Sequence, residues 1–323
     1  MHVTLLLAEL SSHASAALAL EMLDAANRFA TPSKPFNVCV ASLTGQPVSN
    51  ALGRAMAVDS PLDAIEHTDL ILIPGFLFTL RDASPSFGAY CNWLRYQHEK
   101  GAVVASMCTA TFMLAEAGLL NGIQATTHWA FAAHFRRLYP SLSLDAGRIL
   151  SEDGRVITSA GASSALDLML HLIRRFASRD IAQQCSSYLL VDGIRSEQSV
   201  YITWSMPRGH NDKAVLDAQE WMEANFSTRC GIDEIAQRFG FGIRNFKRRF
   251  KEATGSTPTE YLQIARLEKA KLLLETTRLG FEVITEEVGY ENSNSFRRLF
   301  TQRVGISPTA FRKKFTHMPS TSS

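Results

Sequence analysis

A repeat with a fixed offset of fifty residues constrains this chain more than any bulk property. Phe246, Arg248, Phe250, Gly255, Pro258 and Thr259 return as Phe296, Arg298, Phe300, Gly305, Pro308 and Thr309. Lys247 with Arg297, and Tyr261 with Phe311, are conservative pairs in the same register. Two phenylalanines four apart share one face of a helix, so each copy predicts a helix buried along a Phe edge. The basic residues are left on its other faces.

Each copy reads as a helix-turn-helix unit. In the first, Ile232–Phe239 is a short helix that turns Ile235 and Ala236 to a core, and Gly240 permits the tight turn. The second helix then carries Arg244, Asn245, Lys247 and Arg248. The second copy runs through Ile284, Val288 and Gly289 to a helix near Asn294–Thr301, with Asn294, Ser295, Arg297 and Arg298 exposed to solvent. Helices with one apolar edge and a basic, amide-bearing opposite edge fit the DNA major groove. Arg there donates two hydrogen bonds to guanine, Asn does the same for adenine, and other cations neutralise phosphates. A longer helix with Ile264, Leu267, Ala270 and Leu274 on one side lies between the copies. It is expected to hold the two recognition helices about 34 Å apart, in successive grooves. The competing reading is two helical hairpins with solvated charge. Turn glycines, paired Phe anchors and a basic face agree in both copies and favour the first.

NFKRRFKEATGSTPTEYL, ARLEKAKLLLETT and VGYENSNSFRRLFTQRVGISPTAFRKKF together resemble the DNA-binding domain of the AraC/XylS family over its whole length. The resemblance implies a transcription regulator with promoter DNA, a small-molecule effector and RNA polymerase as partners. It also implies a homodimer and an activator, although the residues themselves leave activation or repression open. Two positions depart from the family pattern. Gly242 stands where a capping serine is frequent, so the first recognition helix is expected to be less well capped. Thr285 replaces a small alanine.

The sequence before residue 193 has a different rhythm. Apolar runs at His2–Ala8, Phe36–Ser42, Asp69–Pro74 and Ala102–Met107 alternate with helical stretches at Ala14–Phe29, Phe87–Glu99 and Thr109–Ala117. That order predicts a mostly parallel sheet with helices on both faces. Helices are expected over Ser163–Ser178 and Ile181–Leu190 as well. The domain boundaries read as 1–193 for this α/β part, 194–212 for a linker containing Pro207 and Gly209, and 213–318 for the all-α part. The final MPSTSS reads as a frayed tail.

Within VVASMCTATF, Cys108 falls at the junction of strand and helix, with small Ser106 and Ala110 two residues either side. That is the pattern of a nucleophile elbow, and a helix N-terminus there would stabilise a thiolate. His128 in ATTHW is a candidate partner, and Pro74-Gly75-Phe76 is expected to bring backbone amides to the same pocket. CTATFMLAEAGLLNG followed by ATTHW resembles the PfpI branch of the class I glutamine-amidotransferase-like superfamily, in the subset fused to AraC-type domains. The resemblance implies a flavodoxin-like three-layer sandwich over about residues 2–190. It also implies a pocket that senses small metabolites, among them amino acids and quaternary amines.

Catalytic members of that superfamily carry an acidic residue near the start of the first helix, where this chain has Ser15. Ala110 also stands where glycine is frequent. Without an acid or base nearby, nucleophilic catalysis has no proton management. Three roles are therefore open for Cys108: pocket lining, inert core thiol, or nucleophile of a hydrolase or amidase that also binds DNA. Cys108, Thr109, His128, Phe76, Trp129 and Glu21 form the candidate effector pocket, with no catalytic residue assigned. Phe76 and Trp129 are able to cover a cation, or simply to fill the core. Glu21 is able to pair with an amine, or to be solvated.

Composition adds limits. The net charge of +2 divides unevenly, because residues from 213 onward hold 18 Lys and Arg against 13 Asp and Glu, an excess of +5. Five scattered cysteines without paired spacing point to reduced thiols in the cytosol, and no metal or cofactor is expected. No apolar run reaches the roughly 18 residues needed to span a bilayer. Glu9 soon interrupts the apolar start, which therefore reads as a buried strand rather than a signal peptide.

Overall fold

The computed structural model describes residues 1–50, 52–76, 87–161, 163–191, 195, 197–202, 208–228 and 230–315. The expected tail, and Pro207 and part of the expected linker, lie outside the described residues. The chain divides into two compact units, Met1–Ser199 and Val200–Ser323.

The first unit is built on a seven-stranded sheet of order β10-β11-β7-β6-β1-β2-β5. Its strands are β1 (His2–Leu6), β2 (Asn37–Ser42), β5 (Ser60–Pro61), β6 (Leu70–Ile73), β7 (Val103–Met107), β10 (Leu150–Asp153) and β11 (Val156–Ser159). Short pairs β3 (Val48–Ser49) with β4 (Ala55–Met56), and β8 (Gln124–Ala125) with β9 (Ser143–Leu144), lie apart from it. Among the described residues, only the β10–β11 pairing within the main sheet is antiparallel.

Both faces are covered, which is why LILI of β6 is buried at every position. Leu70 and Leu72 turn to one core with Val3, Leu5, Val103, Ala105 and Ile157. Helices α1 (His13–Phe29), α5 (Ser164–Phe176) and α6 (Arg179–Tyr188) pack on that face. Ile71 and Ile73 turn the other way, to Leu6, Val104 and Val156 under α2 (Phe87–Glu99), α3 (Thr111–Glu116) and α4 (Ala132–Leu138). This is the three-layer α/β sandwich that the alternating pattern predicts.

The second unit contains seven described helices: α7 (Lys213–Ala224), α8 (Ile232–Arg238), α9 (Ile243–Thr254), α10 (Pro258–Thr276), α11 (Phe281–Glu287), α12 (Ser293–Val304) and α13 (Pro308–Phe315). Two cores form, one for each copy of the repeat. Val215, Ala218, Met222, Ile235, Phe246 and Phe250 make the first. Leu267, Ala270, Leu274, Ile284, Phe296 and Phe300 make the second. Gly255 at φ +78 and Gly305 at φ +87 end the two recognition helices in the left-handed region, which explains the glycine in both copies.

Within the expected linker, the described residues Arg195, Gln198 and Val200 have partners. Arg195 and Gln198 are tied into the first unit, while Val200 is 4% exposed inside the second copy's core.

Candidate functional site

The repeat yields two superficially alike basic helices. Phe246, Phe250, Phe296 and Phe300 are all fully buried. Phe250 meets Tyr261 edge-on at 5.1 Å and 84°, and Phe300 meets Phe311 at 5.6 Å and 85°. The same ring geometry thus fixes α9 and α12 in their own cores and decides which faces are left to solvent.

On α9 the exposed residues include Arg244, Asn245, Lys247 and Arg248, and on α12 they include Asn294, Ser295 and Arg298. Arg297 is half-buried: its Nη2 donates to Glu282 at 3.1 Å, and its guanidinium lies 4.9 Å over the Phe281 ring. Arg248 bonds Glu252 and Asn245, whereas Arg244, Lys247 and Arg298 form no ion pair among the described residues. None of the latter three cations would have to give up a carboxylate to meet an external polyanion. The caps differ as expected. Gly242 offers α9 no side-chain bond, whereas the Asn292 side chain accepts from the Ser295 amide at 2.8 Å on α12. Thr285 settles its buried hydroxyl by donating to the Phe281 carbonyl at 2.7 Å.

In the first unit Cys108 directly follows β7 with φ +56, the strained conformation of an elbow. Gly75 is what permits it, because a Cβ there would lie 2.9 Å from Cys108 Cβ. The helix expected from Thr109 is interrupted: a 3-10 turn spans Cys108–Ala110, and only six residues of α-helix follow. Burial pushes the Cys108 thiol above its ordinary range, against smaller opposing help from the Thr109 amide and hydroxyl. Burial thus works against the thiolate expected at a helix start.

Thr109 is buried and acts as a clamp. The Phe76 amide donates to its hydroxyl at 2.8 Å, and that hydroxyl donates to the Phe76 carbonyl. The Phe76 amide, expected to face the pocket, is thus spent on Thr109. The Phe76 ring is core, 4% exposed among Leu6, Ile71 and Tyr90, rather than a lid over a cation. Glu21 is exposed on α1 and adds to the field at Arg28 in the last turn, which places it on the outer surface of that helix. Ser15, where an acid would stand, donates its hydroxyl to the Ser12 carbonyl.

His128 and Trp129 are half-exposed neighbours, their rings 5.5 Å apart. The Ala130 amide donates to His128 Nδ1 at 3.1 Å, and burial pulls the imidazole pKa down, so the neutral ring carries its proton on Nε2. That nitrogen faces Gly161, where a Cβ would stand 3.1 Å from Nε2 and 2.8 Å from Cδ2. His128 is thus set to donate a hydrogen bond rather than to take a proton.

Three residues that the sequence reading missed hold this loop. Thr127 donates to the Cys108 carbonyl at 2.9 Å, and Thr126 donates to the Arg148 carbonyl at 2.8 Å. Gln198, 4% exposed, donates to the Thr127 carbonyl at 2.7 Å and accepts from the Trp129 amide at 3.2 Å. The threonines sit inside the ATTHW motif and were open to notice, whereas Gln198 carries no pattern at all.

A strained cysteine elbow on a parallel sheet, joined to a duplicated helix-turn-helix domain, defines a DNA-binding transcription regulator built on an enzyme-like fold. Residues 4–175 match the DJ-1/PfpI family and residues 235–314 match a helix-turn-helix domain, and the chain belongs to the DJ-1/PfpI family with an AraC-type DNA-binding domain. It is similar to the HTH-type transcriptional regulator CdhR of Pseudomonas aeruginosa, at 30% identity over 91% of this chain and 86% of that protein. It is also similar to the HTH-type transcriptional regulator GbdR of the same species, at 26% identity over 83% of this chain and 72% of the relative. Among solved structures, an AraC family transcriptional regulator from Pseudomonas putida shares the fold at a TM-score of 0.52 and 23% identity. That match covers 58% of this chain and 98% of the other.

Proposed function

We infer that the protein binds a defined promoter in double-stranded DNA through α9 and α12, and that a small amino acid or amine-like metabolite at the Cys108–His128 pocket modulates this binding in a homodimer. The observation that carries the reading is the twofold presentation of exposed cations on helices locked by identical Phe anchors. A helix so anchored offers its basic face at no folding cost, and the two faces together neutralise more phosphates than either alone. Contact with RNA polymerase follows from this reading.

The chemistry of these residues favours sensing over hydrolysis. A thiol held protonated by burial, a neutral His128 with Nδ1 already bonded, and a serine in place of the acid leave no route for a proton. Trp129 offers an aromatic face, and His128 Nε2 a donor, to a small zwitterion.

The test combines a bound-sequence selection from random duplexes with a thermal-shift screen of amino acids and betaines. One duplex family is expected to be enriched, and one metabolite class is expected to raise Tm. Gly161→Ala, which drives a Cβ into the His128 ring, is expected to lose the metabolite shift while keeping DNA affinity. No enriched duplex sinks the regulator reading, and covalent turnover of a substrate at Cys108 replaces the sensor with an enzyme.

A further inference from the structure

The two helix-turn-helix copies match in their Phe anchors but not in how they hold one cation. Arg297 follows Phe296 on α12, as Lys247 follows Phe246 on α9. Phe281, the first residue of α11, stacks its ring on Phe296 at 5.7 Å and 8°. The Arg297 guanidinium lies 4.9 Å over that same Phe281 ring, and its Nη2 donates to Glu282 Oε1 at 3.1 Å. The buried ring gives the guanidinium a fixed platform, and the carboxylate neutralises it there.

The first copy lacks this latch. Aligning the turn glycines, Gly240 with Gly289, sets Ile232 against Phe281 and Asp233 against Glu282. Ile232 has no aromatic face, and the Asp233 side chain is shorter than that of glutamate. Lys247 is exposed and forms no ion pair among the described residues. In a docked helix-turn-helix unit the first helix crosses the phosphate backbone. A phosphate that takes Arg297 has to displace Glu282, and then leaves that carboxylate unpaired beside a polyanion. The Arg297 and Glu282 side chains are 40% and 68% exposed, so the latch is weak in water and its effect on binding is graded.

We propose that Glu282 is a specificity-determining residue: it withholds Arg297 from DNA phosphates, so that the second copy grips the backbone less strongly than the first. The proposal rests on the reading that α12 meets DNA, and adds which cation of that helix is kept from the backbone. A unit with less sequence-independent attraction depends more on its base contacts, here from Asn294 and Arg298. Its engagement therefore discriminates more sharply among duplexes.

Equilibrium binding of the full chain to a mixed-sequence duplex of about 30 base pairs, over roughly 50–200 mM salt, tests this. Glu282→Gln keeps the size of the side chain and leaves Arg297 only a neutral acceptor. It is expected to bind about three- to tenfold more tightly at low salt, and to steepen the fall of log K with log salt by about one phosphate contact. In the Arg297→Ala background the same change is expected to do neither. Asp233→Asn, the matching loss of charge in the first copy, is expected to leave the slope as it was. An unaltered slope in Glu282→Gln overturns the proposal, because mere loss of a negative charge predicts a shift without a new contact. Tighter binding that persists in Arg297→Ala overturns it as well. Weaker binding in Glu282→Gln overturns it in favour of a glutamate that positions Arg297 for DNA.

Retention on heparin, a polyanion without base sequence, gives a second readout. Glu282→Gln is expected to elute at higher salt only while Arg297 is present, and elution equal to wild type counts against the latch. A chain that binds no duplex sinks the reading of α12, whereas binding with the wild-type slope in Glu282→Gln sinks the latch alone.

Discussion

Arg249 holds Asp212 with two hydrogen bonds, Nε to Oδ2 at 2.9 Å and Nη2 to Oδ1 at 2.7 Å. Asp212 also caps α7 by accepting from the Val215 amide at 3.2 Å. One carboxylate thus starts the DNA-binding unit and ties it to the first recognition helix. Desolvation works to raise the Asp212 pKa, but the Arg249 hydrogen bonds, the Val215 amide and the Arg249 charge hold it below the ordinary value. A depressed carboxylate contributes stability that is present above the unfolded pKa of about 3.9 and is lost as pH falls through the folded value. Asp212→Ala is expected to lower stability by about 1–2 kcal/mol at pH 7, after allowing for partial exposure of the pair. Thermal melts should show that gap at neutral pH and find it shrinking in the acid range below about pH 4. A gap independent of pH would contradict the depressed Asp212 carboxylate.

The Phe anchors set the largest energies. Phe250→Ala and Phe300→Ala each remove a fully buried ring and are expected to cost about 3–5 kcal/mol. Because the two rings belong to separate cores, proteolysis of each variant should begin in its own copy. Identical cleavage patterns from the two variants would contradict independent cores.

The unequal caps predict unequal responses. Asn292→Ala is expected to cost about 1 kcal/mol, as an Asn cap usually does. Gly242→Ser should gain a few tenths of a kcal/mol, because it supplies the side-chain acceptor that α9 lacks. Chemical denaturation of the two variants measures both, and a stabilising Asn292→Ala would overturn the account of this helix start.

Cys108 should be a slow thiol. Its burial favours the protonated form, so labelling by iodoacetamide is expected to lag behind a free cysteine peptide near neutral pH and to accelerate only above the ordinary thiol range. Rapid labelling at pH 7 would restore the thiolate, and with it the hydrolase reading.

The parts that were legible in the sequence are those repeated or periodic. Phe246 and Phe296 announce the two recognition helices because burial of a ring every four residues leaves a visible period, and LILI announces a strand covered on both sides. Hydrogen-bond anchors leave no such trace. Gln198 looks like any polar loop residue until its side chain is found buried against Thr127 and Trp129. Arg297 looks as free as Arg298 in the pattern, yet Glu282 and Phe281, on the preceding helix of the same unit, engage it. The Phe76 ring was readable as lid or core alike, and only the fold places it beside Ile71 and Ile73. Periodicity reports which face is buried, not which partner a polar group meets across the fold.

Two basic helices that read one duplex in neighbouring grooves would leave a paired footprint. Hydroxyl-radical footprinting on the selected duplex, with wild type, Arg244→Ala and Arg298→Ala, tests it most directly. Two protected windows about one helical turn apart on one face are expected, and each variant should lose one window and about 10- to 100-fold in affinity. A single window, or full protection and unchanged affinity in both variants, would contradict it.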